Sequence, residues 1–295
     1  MRPKPQTVNP DAGFDRDGLK MLCGRAGCGT TLIARLRAAP FPDPSDPRLP
    51  YHDNRVLIHV PAHFDAAKPL RVVVFFHGHV AEIENQLVGE YDLPGQIDAS
   101  GRNVILIAPQ MARNVADSNP GKLARPNGLA ELIDEAVGIA ARVGGIGRAE
   151  RIAAAPVILA SFSGGYRAAA FSLERGGISQ RTAGLLMLDS LYGEHDRLAA
   201  WSAANYHKSF LVALFTDSSR AETESFKTML DARAVPFARH LNEWSEAGIS
   251  VLEVSTAHDR VPTDGPPARP LAAMLKGLPQ FHDIDLPPIG EFLKP

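Results

Sequence analysis

Cysteine is scarce in this chain of 295 residues: only Cys23 and Cys28 occur, in "MLCGRAGCGTT". Two thiolates cannot make a structural zinc site without other ligands. Their spacing allows one small disulfide loop, which an oxidising compartment would favour; two reduced thiols are the other reading. Long apolar runs are also missing. No segment approaches the roughly 20 residues that cross a bilayer, so no membrane partner is expected. The start, "MRPKPQTVNPDAGFDRDG", is polar and lacks the apolar stretch of a secretory signal. Location stays open between the cytoplasm and secretion with a signal removed. Charge of one sign is not in excess either: 31 Lys and Arg face 33 Asp and Glu, for a formal net charge of −2. Without a basic block or a basic amphipathic run, no nucleic-acid partner is expected.

What is present is apolar sequence in short runs, 45% hydrophobic overall, enough for a sizeable core. Residues 1–54 read as an N-terminal extension, partly irregular, because "APFPDPSDPRLPYHDN" (39–54) is too rich in Pro to hold a helix or an inner strand. From residue 55 the texture changes. "RVLIHVP" (55–61), "LRVVVFFHG" (70–78), "NVILIAP" (103–109), "APVILASF" (155–162), "AGLLMLD" (183–189), "SFLVALFTD" (209–217) and "ISVLEVSTAH" (249–258) predict strands. Helical spacing falls between them at 129–145, after 165, near 221–247 and at 268–277. Such alternation predicts an α/β fold over 55–295: a doubly wound, mainly parallel sheet with helices on both faces.

One turn in that series carries unusual residues. "PVILASFSGGYRAAA" (156–170) passes from strand to helix through two serines and two glycines. A nucleophile thrust clear of a strand end needs a tight turn with small residues two before and two after it. Ser161 fails that test, because Leu159 precedes it by two. Ser163 passes, flanked by Ser161 and Gly165. Gly164 would turn its N–H into the site, and the helix that follows would add a positive dipole end. The other reading is a glycine-rich turn with a capping serine. Neither G-x-G-x-x-G nor G-x-x-x-x-G-K-[ST] occurs at this turn, which counts against a nucleotide-binding module.

Upstream, "VVVFFHGH" ends a strand in His77-Gly78-His79. Gly78 allows close backbone approach, and the N–H of His79, or of Val80 beside it, could serve as a second oxyanion donor. His77-x-His79 spacing also suits zinc, with Glu82 and Glu84 nearby, but no further ligand run follows; no metal or other cofactor is expected. Among ten histidines, His258 follows a strand on a loop and is the favoured base. His195 in "YGEHD" is its best competitor; His59 lies within a strand, and His207 and His240 lie in or beside helical segments. Two carboxylates end strands between Ser163 and His258. Asp217 opens a helix start in which Ser219 and Glu222 are spaced as a capping box, giving it local work. Asp189 has none, so a partner imidazole explains it better. Asp189 is favoured as the acid, with Asp217 as the alternative. Lys122, Arg113 and Arg125 in the long loop 110–128 read as surface charges that could instead steer an acidic substrate. Tyr192, Trp201 and Tyr206 could line a pocket or pack under a helix.

On "HG", "SFSGG", the late His258 and the segment "RVLIHVPAHFDAAKPLRVVVFFHG" (55–78), the chain resembles the serine hydrolases of the α/β-hydrolase superfamily, in the feruloyl-esterase and polyhydroxyalkanoate-depolymerase-like branch. Ser161 stands where that pattern usually has glycine, and the commonest place for the acid favours Asp217. The resemblance implies a Ser-His-Asp acyl-enzyme mechanism on a small-molecule or polymer ester, with Gly164 and His79 as oxyanion donors and no cofactor. An amidase or peptidase would use the same groups, and a catalytically silent binding protein would keep the fold alone.

Overall fold

Hydrophobic sequence without interruption buries a strand on both faces, and Arg71–Phe76 (β4) shows the result: all six residues are buried. A computed structural model of the chain describes residues 13–24, 29–42, 50–144, 146, 149–239 and 247–278. Around β4 it builds a nine-stranded sheet. The strands are Leu19–Cys23 (β1), Thr30–Arg35 (β2), Arg55–Val60 (β3), β4, Val104–Pro109 (β5), Val157–Phe162 (β6), Thr182–Leu188 (β7), Phe210–Phe215 (β8) and Gly248–Glu253 (β9), in the spatial order β1-β2-β3-β5-β4-β6-β7-β8-β9. The first three run antiparallel to their neighbours. From β5 to β9 every pairing is parallel. The carboxyl ends of those six strands therefore share one edge of the sheet, where ligands of open α/β sheets bind.

The helices are Leu93–Ser100 (α1), Gly128–Gly144 (α2), Ala149–Ala153 (α3), Tyr166–Arg175 (α4), His195–Asn205 (α5), Arg220–Ala232 (α6), Val261–Asp264 (α7) and Pro270–Gly277 (α8), with a π-helical stretch at Ile83–Glu90. Period-two alternation splits the core between the faces. Val72, Val74 and Phe76 pack with Leu132, Ile133 and Val137 of α2, Ala168 and Ala169 of α4, and Phe226 of α6. Val73 and Phe75 pack on the other face with Ile97 of α1 and Leu271 and Leu275 of α8. This is the doubly wound, mainly parallel sheet expected from the alternation.

The expected extension is corrected in part. Residues 19–23 and 30–35 are not outside the domain: β1 pairs with β2, and β2 pairs along its whole length with β3, from Thr30 opposite Val60 to Arg35 opposite Arg55. Leu32, Ile33 and Ala34 are fully buried. The apolar run of β2 is short and stands between a segment rich in Cys and Gly and the Pro-rich stretch, so the sequence does not mark it. α1 and α5 were missed for a similar reason: "LPGQIDAS" holds Pro and Gly, and "HDRLAAWSAAN" is dominated by alanine and polar residues. The helix foreseen over 221–247 ends at Ala232. Cys23 is disulfide-bonded; the chain's other cysteine, Cys28, lies outside the described residues, as do His240 and the Pro-rich tail after 278.

Candidate active site

β6 ends at Phe162, and the next residue, Ser163, has φ +49°. A β-substituted residue avoids that region unless its surroundings impose it. Here they do. The chain reverses so tightly into α4 that a side-chain carbon on Gly165 would lie 2.3 Å from the Phe76 carbonyl oxygen. The requirement for a small residue two positions after the serine is thus a contact with β4. Two neighbours share the strain: Asp189, just past β7, has φ +45°, and Val80, past β4, has φ +58°. Ser190 steadies the turn, donating its hydroxyl to the Ser163 carbonyl at 2.8 Å.

The turn brings Ser163 to His258, 95 positions later. Ser163 Oγ lies 2.8 Å from His258 Nε2, and His258 Nδ1 lies 2.6 Å from Asp189 Oδ2. A buried carboxylate accepts and does not donate, so Nδ1 carries the proton and Nε2 is left to accept from the serine hydroxyl. Phe162 stacks on the imidazole at 5.0 Å and 27°, and Tyr192 meets it edge-on at 5.7 Å. Asp189 is completely buried. Burial alone would raise its pKa, but hydrogen bonds from His258, from the Ser219 hydroxyl and from Thr216 hold it below the ordinary carboxylate value. Thr216 contributes both its N–H, at 3.0 Å, and its hydroxyl. Ser219 thus spends its hydroxyl on Asp189 and makes no side-chain cap on α6, contrary to the expected capping box.

Asp217, the alternative acid, is not brought to the imidazole. Its side chain is 91% exposed and paired with Arg220. His195 lies at the start of α5, His207 in the turn beyond α5 against Tyr206, and His59 inside β3, bonded to Thr31 and Asp98. Tyr192 does reach the site: its hydroxyl is 3.2 Å from His258 Nδ1 and 2.5 Å from Ser218 Oγ, with its pKa pushed up to about 12 chiefly by burial. Trp201 and Tyr206 instead pack against the core.

The His77-Gly78-His79 loop stands beside the serine. A side-chain carbon on Gly78 would lie 2.8 Å from Ser163 Cβ, and one on Gly164 would lie 2.4 Å from the His79 ring. Val80 donates its N–H to the Val115 carbonyl at 3.0 Å, so it is not a spare donor. The His79 N–H has no acceptor among the described residues. The zinc reading of this loop fails on its side chains. The His77 ring is buried with both nitrogens hydrogen-bonded within the protein, whereas His79 bonds Ser118 at 2.8 Å. Glu82 pairs with Arg113, and Glu84 with Arg55. Among the described residues no group of three or more His, Cys, Asp or Glu is arranged to hold a metal. Of the loop cations, Arg113 is held by Glu82, and Lys122 donates to the Arg37 carbonyl.

Sequence reasoning missed Thr216, Ser219 and Ser190, whose hydroxyls bond the Asp189 carboxylate and the turn at Ser163. No spacing rule flags them, although Thr216 and Ser219 flank the carboxylate that competed with Asp189.

Neither a protein-family profile nor a curated protein matches the sequence. Solved structures do match the fold. An S-formylglutathione hydrolase from Agrobacterium tumefaciens superposes with a TM-score of 0.51 at 8% identity, covering 87% of this chain and 97% of its own. The feruloyl esterase module from Clostridium thermocellum gives 0.49 at 12% identity, over 76% of this chain and 82% of its own. A thermostable esterase from Pseudomonas putida gives 0.43 at 13%, over 76% of each chain. The chain has the α/β-hydrolase fold. On it, a serine, a histidine and an aspartate from the ends of three different strands form one hydrogen-bonded chain.

Proposed function

We propose that the protein is a serine hydrolase that cleaves a carboxylic ester through an acyl-enzyme on Ser163. The unbroken hydrogen-bonded series from Ser163 through His258 to Asp189 carries the reading. In this mechanism Ser163 Oγ attacks the ester carbonyl while His258 Nε2 takes its proton. Asp189 holds the imidazole in the tautomer that accepts at Nε2 and stabilises the imidazolium. The N–H groups of Gly164 and His79 receive the oxyanion, each worth about 3–4 kcal/mol of barrier. His258 then protonates the leaving alkoxide, and water, deprotonated by the same imidazole, releases the acid. No step calls for a cofactor. The substrate class is a small-molecule or polymer ester.

The test is turnover of a panel of p-nitrophenyl esters and aminoacyl anilides by wild type, Asp189→Asn and Asp217→Asn. Ester cleavage is expected, with kcat reduced about 10⁴-fold in Asp189→Asn and little changed in Asp217→Asn. Faster cleavage of anilides than of esters would move the assignment to an amidase. A loss confined to Asp217→Asn would overturn the choice of acid. Absence of any turnover would favour a binding protein on this fold.

A further inference from the structure

The oxyanion donor proposed on the β4 loop is an amide, and an amide has no rotamer of its own: its N–H points where its peptide plane points. The plane in question joins Gly78 to His79. It is trans, the cis bond found among the described residues being Pro266–Pro267, so its C=O and N–H face opposite ways. Whatever grips the Gly78 carbonyl therefore aims the His79 N–H.

That grip is the side chain of His77. Its Nδ1 lies 2.7 Å from the Gly78 oxygen. Its Nε2 receives the Met111 backbone N–H at 2.8 Å. A backbone amide can only donate, so Nε2 is the bare nitrogen and the ring's proton sits on Nδ1, directed at the Gly78 carbonyl. Gln110, fully buried just past the end of β5, closes the arrangement. Its Nε2 lies 2.8 Å from His77 Nε2 and donates to the Ala81 carbonyl at 2.9 Å, while its Oε1 accepts the Ile83 N–H at 3.0 Å. One amide side chain thus ties the beginning and the end of the β4 loop to β5.

We infer that His77, braced by Gln110, is a positioning residue that turns the Gly78–His79 peptide so that the His79 N–H faces the oxyanion. The role presupposes the acyl-transfer chemistry proposed for Ser163. It places the two residues apart from proton transfer and apart from substrate contact. Removing His77's donor lets the peptide rotate and weakens only the state in which negative charge sits on the substrate oxygen. The loss therefore falls on kcat and leaves ground-state binding unchanged.

The experiment compares wild type, His77→Asn, His77→Phe and Gln110→Met, each first shown folded by circular dichroism and thermal unfolding. Asparagine keeps an N–H donor near the Nδ1 position; phenylalanine keeps the ring volume without the donor. Ester kinetics are measured alongside the inhibition constant of a trifluoromethyl ketone, which forms a tetrahedral oxyanion on the serine. His77→Phe is expected to lower kcat about 100-fold, the scale of one lost oxyanion donor, with KM within about threefold of wild type. The ketone is expected to weaken by the same factor. His77→Asn recovers kcat to within about tenfold of wild type, and Gln110→Met gives an intermediate fall in kcat matched by the ketone. A folded His77→Phe with wild-type kcat, or a kcat loss that the ketone does not follow, overturns the role. If His77→Phe does not fold, the same two readouts on His77→Asn and Gln110→Met decide it: Gln110→Met with unchanged kcat and unchanged ketone affinity overturns it. Failure of the underlying chemistry is distinguishable, since wild type itself would then neither turn over esters nor bind the ketone.

Discussion

Among the described residues nothing bonds the hydroxyl of Ser161. The residue is fully buried in β6, and its Oγ has no hydrogen-bond partner among the described residues. A buried hydroxyl left unpaired costs about 1–3 kcal/mol. Ser161→Ala, which removes the oxygen and keeps the small volume the turn needs, is expected to stabilise the protein by about 1 kcal/mol, seen as a rise of about 2–4 °C in Tm; a lowered Tm would mean that the hydroxyl is in use. At the same scale, the placement of Ser163 at the tight turn beside His258 was legible because sterics alone separate it from Ser161. His258 was legible because it follows a strand at the right end of the sheet. In the sequence, Asp217 opens a helix start and Asp189 does not, which favours Asp189 as the partner of an imidazole. In the structure Asp189, not Asp217, lies on the imidazole; Asp217 pairs with Arg220 at the surface, and the expected capping serine, Ser219, bonds Asp189 instead. Sequence spacing cannot reveal which of two acceptors a hydroxyl will choose.

Among the elements, the strand ends are held in register by buried charge. Arg55, at the start of β3, is 2% exposed and meets Asp53 at 2.7 Å on one side and Glu84, from the π-helical stretch, at 2.7 Å on the other. Arg113, on the loop after β5, adds a contact to Glu82 at 2.8 Å. Burial would raise the pKa of Asp53, but the hydrogen bonds and charge of Arg55, with the charge of Arg113, draw it below its ordinary value. The network joins β3 to the loops that carry His79 and Gln110. Breaking a buried pair by removing one member leaves its partner uncompensated, at a cost of about 3–5 kcal/mol. Asp53→Ala is expected to lose stability on that scale in urea unfolding, and a loss below about 1 kcal/mol would show that the guanidinium finds water instead. None of this was legible. Asp53 closes a Pro-rich stretch that reads as irregular, and the pairing with Glu84 spans 29 positions. β1, β2 and α1 escaped notice likewise, because short, glycine- or proline-interrupted segments take their structure from the sheet they join rather than from local preference. The central strands were read correctly because burial on both faces leaves an unbroken apolar run.

For the molecule as a whole, acid is expected to act through its buried histidines before its carboxylates. Burial holds His77 neutral, its pKa lowered from 6.5 to about 4. Burial also lowers that of His59. The unfolded chain takes up these protons at a higher pH than the folded one, so stability is full above pH 6.5 and falls as the pH drops toward 4. For His77 alone the loss is about 3 kcal/mol across that window. Urea unfolding at pH 7 and pH 4 is expected to show a smaller difference for His77→Asn than for wild type; equal differences would mean that the ring is protonated in the folded protein. Asp189, whose folded pKa is depressed, adds a further loss only as the pH falls below its ordinary value of 3.8. On the scale of the fold, strands alternating with helices were enough to expect the parallel sheet and both covered faces. They were not enough to draw the antiparallel edge, since nothing in "LKMLC" or "TTLIAR" says which neighbour it will pair with. The central claim is that Ser163 is a nucleophile made reactive by His258. Its most direct measurement is labelling with a serine-directed fluorophosphonate, followed by peptide mapping. A single adduct on Ser163, absent from Ser163→Ala and strongly slowed in His258→Ala, is the predicted result; a folded protein that takes no label, or takes it at another serine, would contradict it.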